Sequence, residues 1–282
     1  MSKRLLTGII VAFVALFSMV AGGGWLALML AIIVYKGVPE YVNILKNKGF
    51  LPSANVIFTS ALLFGVLIYF KRFDLAPVLF TICSIAAFMG VLFKGKQPYI
   101  ANVATTILGI MYCGWFPLHL LCLRNFGDTG YYLIPHIQGA LYCVLLLVSV
   151  LVTDTFCYFI GCRYGKHKLS PVISPNKTIE GAIGGTVACL IFAFGIGIFI
   201  GLPWYHAIAL GWLIAIFAQI GDLCESMIKR DGGVKDSSDI LPGHGGFLDR
   251  TDSYILTIPV VYYYLLYFVH NTEWMDVFKG LF

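Results

Sequence analysis

Charge is what this 282-residue sequence has least of: only 12% of its residues are Asp, Glu, Lys or Arg. Soluble domains carry about twice that share, and the mean hydropathy is +0.87. From Gly181 to Gly221 there is no Asp, Glu, Lys or Arg at all. That stretch is long enough for two membrane spans of roughly 20 residues each. Its one interruption, Gly201 to His206, reads as a turn carrying interfacial aromatics. A soluble domain is excluded.

Other absences narrow the chemistry. Eight cysteines are present but no CxxC pair, which removes the usual zinc and redox motifs. Cys83, Cys113, Cys143 and Cys189 lie in apolar runs, where cysteine behaves as a small hydrophobe. Cys157 and Cys162 are the nearest pair. No GxxxxGK[ST] occurs, so there is no P-loop, and no HExxH, so there is no zincin helix. Ser174-x-x-Lys177 lacks the partner motifs of a Ser/Lys nucleophile. Gly181, Gly184 and Gly185 suit close helix packing, since no βαβ unit surrounds them. No internal repeat is visible, and charge collects at one face, which counts against a transporter. His119, His136, His167, His206 and His270 are scattered and read as structural or interfacial.

What is there is a series of nine apolar segments, near 5–20, 24–36, 52–70, 74–93, 98–121, 131–160, 181–201, 205–229 and 252–270. Only helices satisfy a lipid-exposed backbone internally here. The expected fold is therefore all-α, a polytopic integral membrane protein of about nine transmembrane helices. The first two segments are short and flank Gly22-Gly23-Gly24, so a re-entrant hairpin is the alternative for them. The opening Ser2-Lys3-Arg4 imitates a signal peptide, but no small-x-small cleavage site follows, so the run is taken as a first helix. Residues 1–130 form an N-terminal set of helices, a scaffold or dimer part. Residues 131–282 form a second region, with polar loops at 161–180 and 230–251.

Cations fix the orientation. With the N-terminus inside, fifteen Lys and Arg face the cytoplasm and four (Lys71, Arg72, Arg124, Lys279) face away. Both polar loops then lie in the cytoplasm. The Lys71-Arg72 pair is the misfit.

Seven of the fourteen acids fall between Asp222 and Asp252. Beside two spans such charge is costly unless it pairs or binds something, although a solvated loop is the ordinary explanation. Asp222, Glu225, Ser226 and Lys229 follow i, i+3, i+4, i+7 spacing, one face at the end of a helix. Asp249 and Asp252 stand at the start of the next helix, where acids also simply suit the helix dipole. Three carboxylates on two neighbouring helix ends, Asp222, Asp249 and Asp252, make a hard-oxygen site suited to Mg²⁺. The run from Leu241 to Phe247 contains Gly243, His244, Gly245 and Gly246. Flanked by Lys229, Arg230, Lys235 and Arg250, it reads as a polyphosphate cradle. In the other loop, Ser174, Asn176, Lys177 and Thr178 precede an apolar helix, with Asn176 or Thr178 as its cap. Asp154 is either functional or paired with Arg163 or a lysine.

Over Ser226 to Asp252 these residues resemble the signature of phosphatidate cytidylyltransferases, the CDP-diacylglycerol synthases. Ser174-Pro-Asn-Lys-Thr-Ile-Glu-Gly181 and Asp154 resemble further parts of that family. The resemblance covers the last half of the chain. It implies a membrane enzyme, often dimeric, that uses CTP and phosphatidic acid to give CDP-diacylglycerol and pyrophosphate. It implies Mg²⁺, with a second cation left open. Asp222 and Asp249 would hold the metal, and Lys229, Arg230, Lys235 and Arg250 would meet phosphates. Ser174, Asn176, Lys177, Thr178, Ser226, His244, Gly245 and Gly246 would line the substrates. The enzyme would sit in the inner (plasma) membrane with its site at the cytoplasmic face. The rival readings are a CTP-dependent isoprenoid-lipid kinase, a cytidylyltransferase for another lipid, and, remotely, a transporter.

Overall fold

The structure is a computed structural model; it describes residues 3–126, 137–240 and 245–270. Eleven helices account for most of it. The N-terminal half contains α1 (Lys3–Ala21), α2 (Gly23–Asn47), α3 (Ala54–Tyr69), α4 (Ala76–Lys94), α5 (Tyr99–Gly109) and α6 (Phe116–Arg124). A π-helical turn, Ile110–Trp115, joins α5 to α6. The C-terminal half contains α7 (Gln138–Tyr164), α8 (Ile179–Phe199), α9 (Trp204–Asp231), α10 (Leu248–Ile255) and α11 (Thr257–Tyr264).

Seven helical stretches among the described residues are long and apolar enough to cross a membrane; Ala12–Ala21 and Ala54–Tyr69 are shorter apolar helices. The polytopic helical architecture stands. The second segment differs from expectation: α2 does not stop near residue 36 but runs through Pro39 to Asn47. The polarity of Lys36, Glu40 and Lys46 ended the hydropathy signal, yet Glu40 is buried at 3% exposure against the rest of the protein. The 161–180 loop also gains structure. β1 (Lys168–Ser170) pairs antiparallel with β2 (Ser174–Thr178), Lys168 opposite Thr178 and Ser170 opposite Ser174.

The fold buries Tyr41, Phe64, Tyr142, Leu145, Leu210 and Ile214 completely. Large apolar side chains also cover the outside: Phe199 is 87% exposed, Phe93 78% and Leu62 68%. In water such a surface would drive aggregation; in a bilayer it is the lipid-facing side of each helix.

Helix-end contacts define two rims. At one, Leu51 N–H donates to Asn102 Oδ1 (2.7 Å) and Lys94 Nζ to Ser53 Oγ (3.2 Å). Lys48 lies 3.2 Å from Asp231 at the same rim. The alternating run of helices brings the hairpin and the start of α10 there too. At the opposite rim Arg124 donates to Met19 O and Val20 O, and His206 meets Tyr264. Arg72 pairs with Asp74 at 3.0 Å, so the misplaced cation pair carries its own counter-charge.

Candidate active site

The lysine-rich rim gathers the polar residues of three separate stretches. From the hairpin, Lys177 Nζ comes to 2.7 Å from Asp222 Oδ2 at the end of α9. The approach is poorly aligned for a hydrogen bond. Lys177 Nζ is shielded from solvent and has no aligned acceptor among the described residues. An ammonium carries three donors, so this one is short of oxygen partners.

Thr178 settles the choice of cap for α8: its Oγ1 accepts Gly181 N–H at 3.2 Å. Asn176 is exposed and Ser174 half-buried on the hairpin. Glu180, in the first turn of α8, fixes the turn before β1 by accepting Lys166 N–H (3.0 Å) and contacting His167 Nδ1 (2.5 Å). Arg230 secures the same hairpin from α9. Its Nε donates to Ile173 O (3.1 Å) and one terminal nitrogen to Val234 O (3.0 Å). The cation expected on a phosphate is here a latch between two loops.

Asp222 and Asp249 are engaged separately. Asp249 Oδ1 accepts from Lys229 Nζ at 2.6 Å. Its Oδ2 accepts Ser237 N–H (2.9 Å), Ser237 O–H (2.7 Å) and Gly246 N–H (2.8 Å). Asp249 is therefore the knot of the 232–247 loop. Lys229, itself buried, also contacts Glu225 one turn earlier on α9. Gly245 has φ +75°, and a Cβ there would stand 2.6 Å from Asp249 Oδ2. The knot thus requires glycine twice over, by conformation and by space.

Asp154 on α7 and Asp252 on α10 both lie within electrostatic range of Asp222. Gly221 makes that possible: a Cβ on it would meet Asp252 O at 2.6 Å, so α9 and α10 touch backbone to backbone there. Asp252 Oδ1 accepts Ser253 N–H (2.7 Å), and Asp154 Oδ1 accepts Ser253 O–H (3.2 Å). Lys177 and Arg250 offset part of their mutual repulsion. Ser226 is buried, and Lys235 and Arg250 are exposed at the rim. His244 lies outside the described residues, as do Leu241 to Gly243.

Among the described residues, no three histidine, cysteine or carboxylate side chains are disposed to enclose a metal ion by themselves. Mg²⁺ asks for less: one or two carboxylates, the rest supplied by water and substrate phosphates. The Asp154, Asp222 and Asp252 oxygens are the right donor type for that, and their repulsion is what a divalent cation would relieve.

Sequence reasoning passed over Glu40. Its carboxylate accepts Ser238 O–H (2.6 Å) and Ser237 O–H (3.2 Å). It also accepts the N–H groups of Phe247 (3.0 Å) and Leu248 (2.9 Å), where α10 begins. A helix N-terminus has free N–H donors and a partial positive charge; Glu40 supplies both the acceptor and the counter-charge. The available signal was a lone acid in the stretch just past the second apolar segment, beside Val38, Tyr41 and Val42.

Comparison with known proteins gives this geometry a context. Residues 2–268 match the cytidylyltransferase family. A phosphatidate cytidylyltransferase of Synechocystis is 32% identical over 285 residues, covering 94% of this chain and 96% of its own. That of Bacillus subtilis is 31% identical over 278 residues, covering 95% and 98%. That of Staphylococcus saprophyticus is 34% identical over 271 residues, covering 93% and 97%.

Proposed function

The chain belongs to the cytidylyltransferase family, and from that premise we propose that it transfers CMP from CTP to phosphatidate at the cytoplasmic face of the membrane, using Mg²⁺. The observation that carries the reading is the contact between Lys177 and Asp222. It joins the hairpin to the acidic end of α9 and leaves a shielded ammonium in want of anionic oxygens.

The reaction has a clear electrostatic demand. An oxygen of the phosphatidate phosphate attacks the α-phosphorus of CTP, a new P–O–P bond forms, and the bond to the β-phosphate breaks. The products are CDP-diacylglycerol and pyrophosphate. Phosphatidate is already anionic near neutral pH, so no base is needed to make it a nucleophile. The barrier is the approach of two anions and the charge on the departing pyrophosphate. Lys177 would sit against a phosphate oxygen, exchanging its poor contact with Asp222 for a well-directed one. Lys235 and Arg250, exposed at the same rim, would steer and hold the polyphosphate. Asp222, flanked by Asp154 and Asp252, would hold the ion once Lys177 turns to phosphate. Asp249 would join it only by releasing Lys229, Ser237 or Gly246; in its present bonds it shapes the loop. Bound there, Mg²⁺ would supply positive charge to the transferring phosphates and the leaving group.

The lipid sets the location. Phosphatidate keeps its tails in the leaflet and its phosphate at the interface, so the site belongs at a rim of the helix bundle. Cation bias assigns the lysine-rich rim to the cytoplasm, where CTP is found.

Purified protein in lipid vesicles, given phosphatidate and CTP labelled at either the α- or the γ-phosphate, tests the reading. The α-label is expected in the lipid and the γ-label in soluble pyrophosphate. A γ-label in the lipid with CDP in solution would instead make the protein a lipid kinase.

A further inference from the structure

A second basic feature lies away from these residues. Between α2, α3, α4 and the start of α5, at the lysine-rich rim, is a cavity of about 400 Å³. Lys46, Lys94 and Lys96 line it, over a wall that includes Val42, Leu51 and Val91. No acid lines it, and among the described residues none of the three lysines has a carboxylate partner. Lys94 makes one hydrogen bond, to neutral Ser53. Other lysines at the rim do face acids: Lys48 faces Asp231, Lys177 faces Asp222, and Lys229 faces Glu225 and Asp249. Three uncompensated ammonium groups around one hollow repel each other and want an anion.

The chemistry around the lysines says which kind of anion. Leu92 (70% exposed), Phe93 (78%) and Ile100 (86%) present bare apolar surface beside Lys94 and Lys96, and Tyr99 (48%) stands among them. Apolar side chains immediately below cations, with an aromatic at the boundary, match an amphiphile with a phosphate head and acyl tails. A free phosphate would gain nothing from that apolar surface.

We propose that this cavity is an accessory binding site for the headgroup of an anionic phospholipid, separate from the site that handles CTP. None of the candidate catalytic residues lines it. The lysines hold the phosphate, and the tails lie along Leu92, Phe93 and Ile100. α2 connects the two places, since Val42 and Lys46 follow Glu40 within about two turns of the same helix, and Glu40 grips the catalytic loop.

The test needs no CTP, so it stands apart from the activity assigned above. Full-length protein is placed in phosphatidylcholine vesicles with a trace of spin-labelled phosphatidylglycerol or spin-labelled phosphatidylcholine, and the immobilised fraction is measured. Wild type should select phosphatidylglycerol. Replacing Lys46, Lys94 and Lys96 with Gln should erase that preference at about fivefold per lysine at most, whereas the Lys→Arg triple variant should keep it. Lys71→Gln, at the opposite rim, should change nothing. Millimolar inorganic phosphate should not compete, and Ile100→Ser should weaken the lipid selectively. The single variant Lys96→Gln, at an exposed position, gives the same reading if the triple variant does not fold. Selectivity that survives loss of the lysines overturns the proposal. So does abolition of the selectivity by phosphate alone, which would mark a soluble-anion site. Its disappearance on self-association of wild type would mark the face as one covered by a second copy, and would overturn it as well.

Discussion

Glu40 Oε2 accepts the backbone N–H of Leu248 at 2.9 Å, joining α2 to the first residue of α10 across 208 positions of sequence. With Phe247, Ser237 and Ser238 bound to the same carboxylate, the N-terminal half holds the loop that shapes the C-terminal site. Glu40→Ala would strand the N–H groups of Phe247 and Leu248 and the Ser238 hydroxyl, while the Ser237 hydroxyl keeps Asp249. A cost of about 2–4 kcal/mol is expected, with transfer activity falling along with it. Glu40→Gln keeps the shape and two acceptor lone pairs, so it should recover part of both. Thermal unfolding in detergent, read beside the rate of CDP-lipid formation, checks the order Glu, Gln, Ala.

Lys229 serves two buried carboxylates, Glu225 and Asp249. Lys229→Met leaves both without their cation, at an expected cost of about 3–5 kcal/mol. Adding Asp249→Asn should cost much less than the sum of the two single changes, because the second removes a charge that the first left unpaired. Denaturation midpoints of the two single variants and the double variant decide this.

Arg230 is expected to act through the loops it joins. Arg230→Ala should free the 171–174 turn from Val234 and raise the KM for CTP more than it lowers kcat. Limited proteolysis should then cut faster within residues 165–175. A fall in kcat alone, with the cleavage pattern unchanged, would instead place the guanidinium on the reacting phosphates.

Removal of divalent cations should abolish transfer, and Mg²⁺ should restore it. Asp222→Asn should shift the Mg²⁺ titration to higher concentration. Asp249→Asn should act chiefly on stability, because Asp249 is committed to Lys229, Ser237 and Gly246. An Mg²⁺ titration for each variant separates the two carboxylates; equal shifts for both would assign them a shared ion.

Much of this was readable from sequence. Low charge and the uncharged stretch from Gly181 to Gly221 give the helical membrane fold, because a lipid environment leaves the backbone so few options. The clustering of acids from Asp222 to Asp252 picks out the candidate site, and the i, i+3, i+7 spacing places Asp222, Glu225 and Lys229 on one end of α9. Partners were harder. Spacing shows which residues share a face but not which neighbour each one meets, so Asp222 and Asp249 looked like equals. The structure gives Asp222 to Lys177 and Asp249 to Lys229. Glu40 was invisible for a related reason: its role depends on a contact nearly 200 residues away. The β-hairpin was missed because Ser174-Pro175-Asn176 carries turn residues rather than the alternating apolar pattern of a strand.

The most direct test is a double-mutant cycle on Lys177 and Asp222, measured as the rate of CMP transfer to phosphatidate. The account predicts that Lys177→Gln and Asp222→Asn each lower the rate by at least about a hundredfold. It also predicts that the double variant is little worse than the poorer single, as for residues acting as one unit. Either single variant within about twofold of wild type, or two losses that simply multiply, would contradict it.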